Sequence, residues 1–145
     1  MIQALTPSRL LVAVSSLWAS QKLTGPIVDL AKRLGAEALV AHVAHPKEED
    51  ENDSDARRRG EETIKLLTDA LREGGVKAEG IMMFSDDVAK AILNTAKARD
   101  CTAIILGLTS KSAWKRLIDG NVPGDILRKA ELPVLICPSS WSGTV

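Results

Sequence analysis

A glycine-punctuated loop with basic side chains is the stretch of this chain whose residue types suit binding of a charged ligand. The loop follows the short apolar run 103–106, breaks from it at Gly107 and ends at Gly120 and Asn121. Its cationic side chains are Lys111, Lys115 and Arg116. Glycines let a backbone approach a ligand closely, and unpaired N–H groups at a helix start point at anions. The pattern predicts a phosphate-binding loop, although spacing alone equally fits an ordinary strand-to-helix connection.

Short apolar runs predict the strands that must position this loop. Uninterrupted runs of this kind are typical of strands that are buried on both faces of a sheet. Gly80 interrupts the third run, which we therefore expect at a sheet edge. The five predicted strands are 10–14, 38–43, 76–84, 103–106 and 134–137, with Pro138 ending the last one.

Helical spacing of apolar residues separates these strands. In the first helix the stripe ends at Leu34 before a Gly35 C-cap, and Pro26 predicts either a start near Thr24 or a kink. The second helix spans about 55–73 and stops at Gly74 and Gly75. The apolar stripes are Leu23, Ile27, Leu30 and Leu34 in the first helix, Ile64, Leu67 and Leu71 in the second, and Val88, Ile92 and Ala96 in the third.

Capping residues mark the starts of the last two helices. Ser85, Asp86 or Asp87 is expected to cap the third helix, and Asn121 the fourth. Pro123 then falls in the first turn of the fourth helix, where its missing N–H is not needed.

Strict alternation of strands and helices predicts an α/β fold. The order β-α-β-α-β-α-β-α-β requires parallel pairing and right-handed crossovers, hence a five-stranded, doubly wound, Rossmann-like sheet with helices on both faces. Without a linker or internal repeat, residues 1–145 are expected to form a single domain. Ligands of such sheets bind at the carboxyl ends of the strands, where Ser15, Val43 and Gly107 are expected to converge.

The glycine loop also carries a resemblance to a known family. The universal stress protein signature is G-x-x-G, nine residues, then G followed by Ser, Thr or Asn. Gly107, Gly120 and Asn121 match it, whereas Ser110 stands at the second glycine. RLLVAVSS from Arg9 resembles the family's first strand, and LRKAELPVLICP its last helix and strand.

This resemblance implies a binding module in a stress response or signalling role. The implied fold is of the adenine nucleotide alpha hydrolase type. The implied ligand is ATP or another adenine nucleotide, with or without Mg²⁺. In the family an Asp that matches Ser15 contacts the nucleotide, and a residue that matches Val43 lines the adenine pocket. Ribose and phosphates are held by the positions that match Gly107, Ser110, Gly120, Asn121 and Val122. The resemblance further implies a homodimer through strand five, between Pro133 and Pro138.

Two departures from the family pattern leave an alternative open. Ser15 offers no carboxylate, and Ser110 adds a side chain where the backbone would approach a phosphate. The same sequence therefore also fits a dimeric interaction module of this fold that binds no nucleotide.

Composition argues against several partners. Nineteen basic and nineteen acidic residues give a net charge of zero, which disfavours nucleic acid because phosphate neutralisation needs a basic excess. No apolar run approaches the ~18 residues that a membrane span needs. We see no secretory signal, and Cys101 and Cys137 read as isolated thiols, so we expect a cytoplasmic protein.

Catalytic and metal-binding patterns are not evident. His42 and His45 have H-x-x-H spacing at a strand end, which does not suit one metal ion, and surface or turn positions are the favoured interpretation. No serine elbow, Cys-His arrangement or Walker loop is present, so enzymatic activity would amount at most to slow ATP hydrolysis. Trp114 is interpreted as a loop anchor rather than a base-stacking residue.

Overall fold

A computed structural model describes residues 7–14, 17–44, 53–108 and 122–138 of the chain. Strands and helices alternate along these ranges, as the apolar patterns predict. The strands are β1 (Arg9–Ala13), β2 (Glu37–Ala44), β3 (Ala78–Phe84), β4 (Ala103–Leu108) and β5 (Val134–Pro138). The helices are α1 (Leu17–Leu34), α2 (Asp53–Glu73), α3 (Val88–Ala98) and α4 (Val122–Lys129).

The five strands form one all-parallel sheet in the order β3-β2-β1-β4-β5. The chain winds outward from β1 through β2 to β3 and then crosses to β4 on the other side of β1. This confirms the predicted doubly wound fold, and it places the point where the winding reverses between β1 and β4. Strand β3 lies at one end of the sheet, as predicted, and β5 lies at the other end.

Two apolar clusters cover the two faces of the sheet. One contains the buried stripes of α1 and α2, including Ile27 and Leu67, on one set of strand side chains. The other contains Ile92 of α3 and Ile126 of α4 on the opposite set. Strand residues such as Leu10 and Leu11 therefore face different clusters, which explains why the strands read as continuous apolar runs.

Helix α1 differs from the prediction at the end of its apolar stripe and excludes one of the two alternatives for its start. It begins at Leu17 and continues through Pro26, so a start near Thr24 is wrong and the proline lies inside the helix. The buried residues Leu23 and Ile27 lie on either side of Pro26, and their packing on the sheet holds the helix together across the missing N–H. Leu34, in contrast, is 50% exposed and lies outside the core.

Helix ends follow the predicted capping chemistry. Gly35 and Gly75 adopt φ values of 60° and 87° after α1 and α2, which suit glycine. At the first of these ends, the Ala36 N–H donates to the Ala31 carbonyl at 2.9 Å. Asp87 caps α3 by accepting a hydrogen bond from the Lys90 N–H at 3.0 Å. Pro123 lies in the first turn of α4, while Asn121 lies outside the described residues.

Strands β4 and β5 continue further than the sequence predicts. Gly107 does not break β4, because it pairs with Cys137, and Leu108 pairs with Pro138. Strand pairing thus extends the ladder across a glycine and up to a proline, both of which were expected to end it. The predicted strand over 76–84 begins instead at Ala78.

Candidate functional site

The carboxyl ends of β2, β1 and β4 meet at one edge of the sheet. Ala13 of β1 is paired with Ala41 on one side and with Leu106 on the other. The next residue of each strand therefore lies at about the same height, which brings Val14, His42 and Gly107 side by side. Two of these positions, Val14 and Gly107, flank the switch point between β1 and β4.

Hydrogen bonds tie the end of β1 to β2. The Val14 N–H donates to the Ala41 carbonyl at 2.9 Å, and His42 Nδ1 lies 2.8 Å from the Val14 carbonyl oxygen. A carbonyl oxygen only accepts, so Nδ1 carries the proton in this contact. His42 lies within β2 and is half-buried, so it is a structural link rather than a turn residue.

Val43 supplies apolar surface at the same edge. It is half-buried and packs against the cluster on the α3 and α4 side of the sheet. Its exposed part lies one residue beyond the level of Val14, where the adenine pocket is predicted. An apolar wall of this kind suits a planar base, since most ligand pockets are lined by hydrophobic side chains.

Gly107 brings β4 into close contact with α1. A Cβ built on this glycine would fall well inside van der Waals distance of Leu23 Cδ1. Leu23 is itself only 3% exposed and belongs to the core. Close packing against Leu23 therefore requires a glycine at this position, in addition to the ligand-binding role that the signature implies.

The start of α4 is the remaining predicted site element that the structure describes. Val122 is its first residue, and the buried Ile126 belongs to the apolar cluster that packs on this face of the sheet. Asp125 forms an ion pair with Arg128 on the exposed side. Since α4 leads into β5 beside β4, its amino end lies toward the carboxyl edge of the sheet, where a helix dipole favours anions.

Several predicted site residues lie outside the described residues. They are Ser15, Ser110, Gly120 and Asn121, together with His45 and Trp114. The structure thus brings Val43, Gly107 and the backbone start of α4 to one edge of the sheet. The contacts of the other four predicted ligand residues stay predictions.

Gly60 lies close to this region, although it is not among the predicted site residues. A Cβ at this position of α2 would lie 2.8 Å from His42 Cδ2 and close to the end of the Met82 side chain. The glycine lets α2 approach β2 and β3 near the site. An isolated glycine within a helical pattern was the available signal.

The two cysteines are buried thiols. Cys137 is 2% exposed, and burial raises its pKa to about 11. Burial also raises the pKa of Cys101, although Arg9 and Arg99 oppose that effect. A thiol that resists ionisation is a poor nucleophile, so neither residue suits catalysis.

Metal-binding and membrane-spanning features are missing from the described ranges. In residues 7–14, 17–44, 53–108 and 122–138, no three His, Cys, Asp or Glu side chains come together to hold a metal ion. Over the same residues, no helix is long and apolar enough to cross a membrane.

Other concave surfaces lie away from the strand carboxyl ends. A groove of about 800 Å³ runs between α3 and α4 over Leu93 and Leu132. A smaller cavity of about 120 Å³ lies at the amino ends of the strands, beside the ion pair of Arg9 with Glu37 at 2.8 Å. Neither surface includes a residue of the predicted site.

Comparisons with known proteins agree with this architecture. Universal stress protein YxiE from Bacillus subtilis (strain 168) is 27% identical over 145 aligned residues, which cover 89% of this chain and 97% of the relative. A universal stress protein family structure from Burkholderia pseudomallei is similar with a TM-score of 0.70 and 20% identity, covering 90% of this chain and 96% of that one. The universal stress protein of Archaeoglobus fulgidus in complex with dAMP has a TM-score of 0.65 and 23% identity, over 89% and 96% of the two chains.

Two further similar structures hold a nucleotide. One is a universal stress protein in complex with cAMP, and the other is a family member from Arabidopsis thaliana with AMP bound. The model of the universal stress protein family matches residues 7–138, which is most of the chain. The chain therefore belongs to the universal stress protein family.

Proposed function

We propose that this chain is a universal stress-type module that binds an adenine nucleotide at the carboxyl edge of its sheet. The observation that carries the proposal is the convergence of Val14, Val43 and Gly107 at the carboxyl edge of the sheet, where Val14 and Gly107 flank the switch point between β1 and β4. Similar structures bind dAMP, cAMP or AMP, which supports an adenine nucleotide as the ligand class. The role would lie in stress response or signalling rather than in catalysis.

The proposed binding mode assigns separate parts of the nucleotide to separate elements. Val43 lines the adenine side, and Ser15 contacts the nucleotide from the end of β1. Gly107, Gly120 and Val122 lie near the ribose and phosphates. Ser110 and Asn121 complete this loop, and a bound triphosphate would bring Mg²⁺ with it.

Two features favour the phosphate end of this arrangement. The loop carries Lys111, Lys115 and Arg116, whose charge attracts an anion. The amino end of α4 adds the backbone N–H groups of a first helical turn and the positive end of the helix dipole. The two effects act in the same direction, so phosphate is favoured over a neutral ligand.

A second candidate function rests on the serines at positions 15 and 110. Where the family pattern has a carboxylate and a glycine, this chain has two hydroxyls. A site weakened in this way would leave an interaction module of the same fold, whose function resides in its surfaces.

Mass spectrometry of the small molecules released from the denatured, freshly purified protein separates the two functions. The proposal expects an adenine nucleotide in an amount comparable with the protein. Release of none, followed by no binding when AMP or ATP is added back, would favour the interaction module.

Assembly and location belong to the same proposal. Strand β5 forms one end of the sheet, and Val134, Leu135 and Ile136 are each only half-buried there. An apolar edge of this kind is stabilised by pairing, so we expect a two-fold dimer through β5 in a single-domain cytoplasmic protein.

A further inference from the structure

The second free edge of the sheet is β3, at the opposite end from β5. Hydrogen bonds from the Ala38 N–H to the Lys77 carbonyl, and from the Ser85 N–H to the Ala44 carbonyl, fix which residues face β2. The backbone N–H and C=O groups of the odd-numbered residues of β3 point toward β2. Those of the even-numbered residues therefore point outward, away from the sheet. In the sheet that the described residues form, no strand lies beyond them.

The exposed edge of β3 carries few of the features that normally prevent pairing. Its seven residues, AEGIMMF, contain no proline or lysine, and Glu79 is its one charged residue. The Arg72 Nε–H donates to the outward carbonyl of Ala78 at 2.9 Å. Within the described part of the chain, the outward backbone groups of Gly80 and Met82 have no such cover.

A shallow groove of about 360 Å³ runs along this edge between β3 and α2. Gly80 forms its floor, close to Ile64, and a Cβ at this position would overlap that side chain. The exposed wall of the groove is formed by charged residues of α2. The groove thus has free backbone groups on one side and charged side chains on the other. A partner that has both an exposed strand edge and a charged helix beside it would fit this arrangement.

The charged wall alternates in sign along α2. Its residues, spaced three or four apart, are Glu61, Lys65, Asp69 and Arg72. From Glu61 to Arg72 the charges are negative, positive, negative and positive. From Arg72 back to Glu61 they are positive, negative, positive and negative. Two copies of the wall that lie antiparallel therefore place unlike charges opposite each other.

We propose that the β3 edge binds a second copy of this chain, with the two β3 strands antiparallel about a two-fold axis beside Gly80. Gly80 then pairs with its copy, and Ala78 pairs with Met82 of the second copy. The carbonyl of Ala78 can accept this hydrogen bond in addition to that from Arg72, because it has two lone pairs. This interface goes beyond the proposed nucleotide site and is separate from β5.

The helix positions agree with this axis. Helix α2 packs against both β2 and β3. With strands about 4.8 Å apart, a helix above the β2–β3 boundary lies about 10 Å from its copy, which is a normal helix packing distance. Gly80 lies beside Ile64 and Thr68, so the axis passes near the middle of the charged wall.

The facing charges follow from that position. Lys65 meets Asp69 of the second copy, and Glu61 meets Arg72 of the second copy. Each contact occurs twice because of the two-fold axis. A partner that carries one sign of charge would face two like charges, so the wall favours a copy of itself over such a partner.

Charge exchange at Lys65 and Asp69 tests this interface. Both side chains are substantially exposed, and they form an ion pair with each other at 2.6 Å. The experiment measures self-association by sedimentation velocity for Lys65→Glu, Asp69→Lys and the double exchange, each in an Ile136→Lys background that charges the β5 edge. Far-UV circular dichroism verifies folding, and the same set in the parent background provides a second series.

The proposal expects concentration-dependent dimers in the Ile136→Lys background. Each single exchange should weaken them about tenfold or more, because a like-charge contact then occurs twice. The double exchange should restore them. An equimolar mixture of the two single variants should restore them as well, since the acidic side chain introduced by Lys65→Glu on one chain then meets the basic side chain introduced by Asp69→Lys on the other. Restoration by mixing would not follow from a change within one helix.

Two results would overturn the proposal. The first is a protein that stays monomeric at hundreds of micromolar in the Ile136→Lys background, while the Lys65 and Asp69 exchanges leave the mass unchanged in the parent background. Equal association of all four α2 sequences would also overturn the proposal. Nucleotide binding by the same proteins is expected to be unchanged, so failure here is distinct from failure of the proposed function.

Discussion

Two buried threonines of α2 show how much a single hydroxyl depends on its partner. The Thr63 Oγ1–H donates to the Arg59 carbonyl at 2.8 Å, and the side chain is 2% exposed. Thr68 is 4% exposed, and among the described residues its hydroxyl has no hydrogen-bond partner. An unsatisfied buried hydroxyl lowers stability, whereas a methyl group in its place does not.

Thr68→Val should therefore raise the free energy of unfolding by about 1 kcal/mol, or leave it unchanged. Thr63→Val is the matched control on the same helix, and it should lose about 1 kcal/mol with its hydrogen bond. Urea denaturation measures both values. Equal losses for the two variants would show that the Thr68 hydroxyl is satisfied.

Cys137 gives the stability a pH dependence. Burial raises the pKa of its thiol from 9.0 to about 11 in the folded chain. The unfolded chain therefore ionises first, and the stability that the thiol contributes is present below pH 9 and lost as the pH rises toward 11.

Urea denaturation at two pH values tests this linkage. Between pH 8 and pH 10, the parent should lose about 1 kcal/mol more stability than Cys137→Ala does. The same pH dependence in both proteins would show that Cys137 ionises alike in the folded and unfolded chains.

At the scale of elements, Gly107 couples β4 to α1. A side chain at this position meets Leu23, which is buried in the core. Close packing tolerates added volume only when a neighbour can give way. The glycine that the signature assigns to a ligand thus also fixes how a helix sits on the sheet.

Gly107→Ala should cost about 1–3 kcal/mol through this overlap. In the Leu23→Ala background the same change should cost less, because the overlapping methyl group is gone. A double-mutant cycle from denaturation curves measures the coupling. Additive effects would mean that strain in β4, rather than contact with Leu23, determines the cost.

The sequence predicts the elements well where one signal dominates. Continuous apolar runs place all five strands, and the interrupting Gly80 places β3 at an edge. Tertiary contacts decide the rest. Pairing with Cys137 carries β4 through Gly107, and core packing carries α1 through Pro26. Local preferences of Gly and Pro cannot anticipate either effect, because each depends on residues distant in the chain.

The candidate site is predictable only in part for a related reason. Parallel strands bring Val43 and Gly107 to one edge, so their proximity follows from the topology. The packing roles of Gly60 and Gly107 depend on side chains from α1, β2 and β3, and an isolated glycine in the sequence does not indicate which side chains it will meet. The roles of Ser15 and Ser110 were assigned by family resemblance, and both lie outside the described residues.

At the scale of the whole molecule, the two ends of the sheet are the edges through which we propose that the chain assembles. The backbone groups of Val134 and Ile136 point away from β4, as the hydrogen bond from the Ile104 N–H to the Pro133 carbonyl implies. Antiparallel pairing of β5 with its copy would satisfy them.

Leu135→Lys and Ile136→Lys should both abolish dimers through β5 while retaining secondary structure. Leu135 also packs against the α1 and α2 cluster, so Ile136, which is outside both clusters, provides the cleaner variant. Light scattering measures the mass and circular dichroism verifies the fold. The pairing would be contradicted if the parent protein is monomeric at micromolar concentration and forms no dimer that the β5 variants abolish.

Nucleotide binding through the glycine loop is the central claim, and a calorimetric titration of AMP and of ATP tests it most directly. The proteins compared are the parent, Gly120→Val, and Gly25→Val as a control at an exposed glycine with no atom near its Cβ position. We expect that the parent and Gly25→Val bind an adenine nucleotide with equal affinity, and that folded Gly120→Val does not, because a side chain blocks backbone approach to the phosphates. Binding by Gly120→Val as tight as that of the parent, or no binding by the parent, would contradict it.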